Sequence, residues 1–112
     1  VIHDAINGVN LVNLADGLNP SVIDDNVLRD NVNDGFHLLN IGGTSITTLE
    51  VTNNLAYGNG DDGFDIAADA GSTVGGLIDG NSTVPPIGGN QNGDDGLALS
   101  SIGGTLAFNV AP

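Results

Sequence analysis

NNLAYGNGDDGFDI, residues 53–66, decides the fold, because the chain repeats this block. DNVLRDNVNDGFHLLNIGG occupies 25–43 and NQNGDDGLALSSIGG occupies 90–104. Superposed, the three copies align Gly35, Gly63 and Gly96. Each glycine follows an Asp and precedes a large apolar residue, a variable one and another apolar one. NGVNLVN, residues 7–13, is a weaker fourth copy with Gly8 at the glycine position and Val9 and Leu11 at the apolar ones. The glycines are 27, 28 and 33 residues apart. A period of this size sustained along a chain marks a solenoid.

Within one period the helical signals are weak. Gly and Asn recur every few residues, β-branched residues are common, and no apolar stripe holds a 3.6-residue period. Short alternating runs replace it. In Phe36-His37-Leu38, Phe64-Asp65-Ile66 and Leu97-Ala98-Leu99 the first and third side chains point inward and the middle one outward. A second run, Ile46 to Val51, has its counterpart around Val74 to Ile78, and a third short run precedes each Asp-Gly. Three short strands per period, parted by Gly, Asn and Asp corners, predict one coil of a parallel β-helix. Equivalent residues then stack ~4.8 Å apart in ladders. Phe36, Phe64 and Leu97 form one interior ladder, Leu38, Ile66 and Leu99 another, and Asn26, Asn54 and Asn81 a corner ladder of stacked amides. The longer third coil takes up its extra residues between Asn81 and Asn92, where STVPPIGG reads as a loop.

This NxxxxNxxDGF/L pattern resembles the right-handed parallel β-helix repeats of the pectate-lyase-like superfamily. It is also similar to the shaft repeats of large bacterial surface proteins and adhesins. The resemblance spans roughly Gly8 to Gly104. It implies an all-β, right-handed parallel β-helix of about four coils, with 27–33 residues and three short strands per coil. Residues 1–112 then form a single domain with coils at about 8–34, 35–62, 63–95 and 96–112, and residues 1–7 complete a neighbouring coil. The scaffold carries both enzymes and inert shafts, so function has to be argued from its side chains.

Composition narrows the partners. Fourteen acidic residues face one basic residue, Arg29, for a formal charge of −13, which repels nucleic acid and anionic membranes and attracts cations. The chain contains no cysteine, so it has neither a disulfide nor a thiolate metal site. Only 13% of residues are charged, leaving Asn, Ser, Thr and Gly to make the polar surface. That surface suits an extracellular or cell-surface setting better than a cytosolic one. No apolar run reaches the ~20 residues needed to cross a bilayer.

The candidate chemistry lies in GNGDDGFD, residues 58–65, with echoes in NGDDG and NDG. Gly60, Asp62 and Phe64 are similar to the glycine, aspartate and apolar positions of a calcium-binding nonapeptide from β-roll toxins. Those nonapeptides recur every nine residues, whereas the spacings here are 28 and 33. Stacking puts Asp34, Asp62 and Asp95 in one ladder with Asp61 and Asp94 beside them, and these five are the candidate metal ligands. Like charges one rung apart repel by ~1 kcal/mol in water, and Ca2+ with oxygen ligands would turn the repulsion into cohesion. The other reading is that Asp-Gly is good corner chemistry, with the aspartates splaying into solvent and no cofactor required. His37 and His3 read as separate surface histidines, and Asn81-Ser82-Thr83 matches an N-glycosylation acceptor.

Asp61-Asp62 is similar to the paired-aspartate part of the polygalacturonase signature, which would make the chain a fragment of a carbohydrate-active β-helix enzyme with a polysaccharide partner. That family's His-Gly and Arg-Ile-Lys segments have no counterpart here, and Arg29 is the sole basic side chain. No residue is therefore assigned as catalytic.

The repeat register also leaves the outer coils partial, with 17 residues from Gly96 onward and seven before Gly8. Val1, Ile2 and Ile6 at one end, and Leu106, Phe108 and Val110 at the other, are the candidate self-assembly residues. The functional expectation is a non-catalytic, adhesin-like shaft or filament subunit that stacks end to end on copies of itself or on adjacent coils of a longer chain. The carbohydrate-active enzyme is the runner-up.

Overall fold

The computed structural model describes residues 1–13, 21–42 and 45–110, without the side chains of 45–47. Part of the first expected coil (14–20) and the last two residues of the final one lie outside the described residues, as do 43–44. Eleven strands and no helix form the described chain: β1 Ile2–His3, β2 Val9–Asn13, β3 Ser21–Asp24, β4 Val27–Arg29, β5 Phe36–Asn40, β6 Ser45–Thr52, β7 Leu55–Tyr57, β8 Phe64–Asp69, β9 Thr73–Asp79, β10 Leu97–Ile102 and β11 Thr105–Val110.

Every strand pairs in parallel with its equivalent one coil away. Three sheets result, in the orders β1-β4-β7, β10-β8-β5-β2 and β11-β9-β6-β3. The fold is a β-solenoid of about three turns, two of its sheets having four rungs and the third three.

The register follows the glycine alignment. Val9, Phe36, Phe64 and Leu97 are consecutive partners, as are Leu11, Leu38, Ile66 and Leu99. Alternation puts every second side chain of β5 inside, so Phe36 and Leu38 are fully buried. Leu28 and Ala56 from the short sheet, and Leu49, Val51, Val74 and Ile78 from the third, complete the interior. Each large side chain removed from water contributes roughly 1.5–3 kcal/mol.

The repeated glycine has a steric cause. A Cβ at Gly8, Gly35 or Gly63 would lie 2.4, 2.6 or 2.7 Å from the next rung's glycine carbonyl oxygen. The corner brings successive backbones too close for any side chain.

Two coils depart from the ideal. β6 and β9 change register between Ile46 and Leu49, where β6 carries an extra residue. In the third coil the short strand is reduced to a bridge between Leu55 and Ser82, and residues 83–91 form the expected loop. Pro85 and Pro86 within it have no N–H to give to a ladder.

Candidate functional site

The corner between the short sheet and the β2-β5-β8-β10 sheet is built from stacked dipeptides. Asp30 and Gly58 adopt left-handed backbone, with φ 55° and 67°, and each precedes a buried asparagine, Asn31 or Asn59. The neighbouring corner repeats the device with Asp25, Asn53 and Gly80 ahead of Asn26, Asn54 and Asn81. The stacking asparagines do not themselves take the left-handed turn. The structure assigns it to the residue before them, which frees each asparagine to point inward.

Inside, the amides form continuous ladders. Asn31 donates from its N–H and Nδ2 to Asn59 Oδ1, at 3.2 and 2.9 Å, and Asn59 donates likewise to Asn92 Oδ1, at 3.1 and 3.0 Å. Asn59 Nδ2 also reaches the Leu28 carbonyl at 3.2 Å. The predicted Asn26-Asn54-Asn81 ladder has the same geometry. Asn31-Asn59-Asn92 was missed, although the second Asn of the NxxxxN spacing is its signature. Asn81 spends its amide internally, since Nδ2 donates to the Val51 carbonyl at 2.6 Å. The acceptor pattern there is thus held within the ladder.

The aspartate ladder forms in the predicted order. The Asp34 N–H donates to Asn7 Oδ1 at 3.2 Å, the Asp62 N–H to Asp34 Oδ1 at 3.1 Å, and the Asp95 N–H to Asp62 Oδ1 at 2.8 Å. The Asp34 and Asp62 carboxylates therefore each accept a backbone hydrogen bond from the rung above, which offsets part of the repulsion between them. Burial nevertheless pushes the Asp34 and Asp62 carboxyls above the ordinary range, against the lowering effect of those hydrogen bonds, and neighbouring carboxylates add to the rise.

The five predicted metal ligands do not stay together. Asp61, Asp62 and Asp94 bring carboxylate oxygens within 4.8 Å of one another. Asp34 instead joins His37 and Asp65 in a second group within 4.8 Å, and Asp95 belongs to neither. His37, read in sequence as a solitary surface residue, has Nδ1 2.8 Å from Asp65 Oδ2 and 3.5 Å from Asp34 Oδ2. The signal for this cluster was available: His37 and Asp65 share the outward ladder position, and Asp34 lies three residues before His37. His3 hydrogen-bonds Asp4 at 2.5 Å on a different sheet. Arg29 pairs with Asp30 beside it on the short sheet. A hollow of about 220 Å³ beneath the loop is lined by Thr83, Val84, Pro85, Gln91, Asn92, Asp94 and Gly96.

The candidate self-assembly residues fall at opposite ends. Ile2 on β1 is partly buried against the core, as are Leu106 and Phe108 on β11. Val1 and Val110 are exposed. Ile6 takes an outer corner position, its carbonyl accepting from Asn33 as the Asn33 carbonyl accepts from Asp61, so its exposed side chain is the apolar member of the Ile6-Asn33-Asp61-Asp94 stack.

No protein-family model, curated protein or solved structure matches the chain to a significant degree.

Proposed function

We propose that the chain is a non-catalytic structural β-helix unit, a shaft or filament segment at the cell surface or outside the cell. Its ladders would continue past the outer rungs into coils supplied by a second copy or by an adjoining stretch of chain. The observation that carries this reading is the half-covered rung at β10 and β11. Leu97, Leu106 and Phe108 pack on the core from one side, and Val110 is 56% exposed. Beside them, a hollow of about 170 Å³ is lined largely by Phe64, Ile78, Leu97 and Val110. The first rung offers Ile2, Val9, Leu11 and Ile23 as matching apolar surface. The polar ladders support continued stacking. In the aspartate ladder each N–H donates to the oxygen of the rung before it, so an Asn7 N–H stacked above Asp95 would find a carboxylate waiting, whereas the asparagine ladders donate toward the rung after.

The kinship best supported is with shaft-type repeats of the pectate-lyase-like superfamily rather than with its enzymes, because the one guanidinium, Arg29, is taken by Asp30 on the short sheet and does not face the carboxylates of β8. Asp61, Asp62 and Asp94 would be the ligands through which Ca2+ tightens adjacent coils.

Sedimentation and negative-stain microscopy of the purified chain test the reading. The expected result is elongated, concentration-dependent species that Val110→Asp reduces to monomers, with Ca2+ raising the melting temperature and chelator lowering it. A wild-type chain that remains a monodisperse monomer, as stable as V110D, would overturn stacking on a second copy.

A further inference from the structure

We propose that Asp34, His37 and Asp65 form a three-ligand site for a divalent transition metal of the zinc class, with water completing the coordination. The inference is independent of the assembly reading and uses none of the proposed calcium ligands.

The solenoid register creates the site. His37 on β5 and Asp65 on β8 are direct cross-strand partners on the outward face, and Asp34 enters from the corner three residues earlier. Four ligands placed 2.0–2.1 Å from a tetrahedral metal lie ~3.3 Å apart. The separations of His37 Nδ1 from Asp65 Oδ2 and Asp34 Oδ2, 2.8 and 3.5 Å, bracket that value. Small side-chain movements would therefore admit the ion.

Asp34 supplies an independent reason. The residue is only 7% exposed. Its Oδ1 is committed to the Asp62 N–H, while Oδ2 points toward His37 at 3.5 Å, too long for a hydrogen bond. The Asp34 side chain is one-tenth exposed and meets the imidazole only at ion-pair distance, a pairing that a cation would take over. The Oδ1 hydrogen bond fixes the carboxylate in the manner of a supporting partner to a metal ligand.

The donor set selects the ion. One imidazole nitrogen with two carboxylates suits Zn2+ and its neighbours in the first transition row, whereas Ca2+ and Mg2+ favour all-oxygen shells. The surrounding negative charge raises the local concentration of any such cation. Once bound, the ion would clip the second coil to the third across β5 and β8.

The test adds Zn2+ alone to the chelator-stripped full chain and follows calorimetric binding and melting temperature, with Co2+ absorption reporting the coordination geometry. One Zn2+ per chain is expected, with a melting temperature that rises at Zn2+ concentrations where equal Mg2+ has no effect. His37→Asn and Asp65→Ala introduce residues already present at equivalent ladder positions, those of Asn10 and Ala98, so the fold should accept them. Each should weaken Zn2+ binding by about 100-fold or more, while His3→Asn leaves it unchanged. Should either site variant fold poorly, the imidazole proton resonances of the wild-type chain decide, with those of His37 shifting on Zn2+ addition and those of His3 staying in place. Absence of Zn2+ binding, undiminished binding by H37N, or unshifted His37 resonances would overturn the site.

Discussion

At Asp34 and Asp62 burial opposes ionisation more strongly than the backbone hydrogen bonds favour it, so both carboxyls titrate above the ordinary value of about 4. The native chain then binds more protons than the unfolded chain between neutral pH and that ordinary value, and stability rises as pH falls through this window. Asp24 has the opposite sign. Hydrogen bonds from the Thr52 hydroxyl and the Asn53 amide hold its carboxyl low, and its contribution fades only once acid reaches the ordinary carboxylate range. In metal-free buffer the melting temperature should therefore climb as pH is lowered from 7 toward 5. Asp34→Asn should raise it at neutral pH and flatten the slope, since Asn7 already accepts the equivalent N–H with an uncharged amide. Circular dichroism melts across that range would reject the account if D34N kept the wild-type slope. This aspartate stack was legible in the sequence because its members share a fixed offset from the glycines. The His37 cluster carried a signal too but went unread, because it joins a ladder position to a corner position, and ladder-by-ladder alignment keeps the two apart.

Among the elements, β6 and β9 show where pattern reading reaches its limit. SITTLEVT is β-branched at most of its positions, so it fits a strand in either register, and nothing in it announces the extra residue. The partner strand absorbs the irregularity at Gly76, whose φ is 144° and whose added Cβ would lie 1.9 Å from the Leu49 carbonyl oxygen. A backbone contact of that kind cannot be relieved by a rotamer change. Gly76→Ala should cost about 3 kcal/mol or more. Gly71→Ala should cost only about 1 kcal/mol, because Gly71 also has positive φ but open space around it. Urea denaturation separates the two, and equal losses would mean that the bulge does not constrain Gly76. The loop of the third coil was readable for the contrary reason: paired prolines and glycines exclude a ladder strand, and the 33-residue spacing shows where the surplus must go.

Among the described residues most ladder contacts join residues about one period apart, which is why one aligned glycine column was enough to predict sheet order and the register of β2, β5, β8 and β10. What that column could not convey was the content of the corners, where side-chain amides and carboxylates link rungs by rules that differ from those of the strands. The molecule measures 42 × 24 × 20 Å. Its ladder hydrogen bonds connect rung to rung, so a pull that separates the first rung from the last loads them end-on and in succession, without the simultaneous shear of parallel chains. Resistance should be modest and stepwise. Each coil of 27 or 28 residues that peels away releases roughly 90 Å of extended chain. Single-molecule extension should show a low-force sawtooth of that period, and one cooperative rupture of the whole chain would contradict it. A rod built this way yields by lengthening, one ring at a time, and each released ring still has its neighbour as a template on which to rewind.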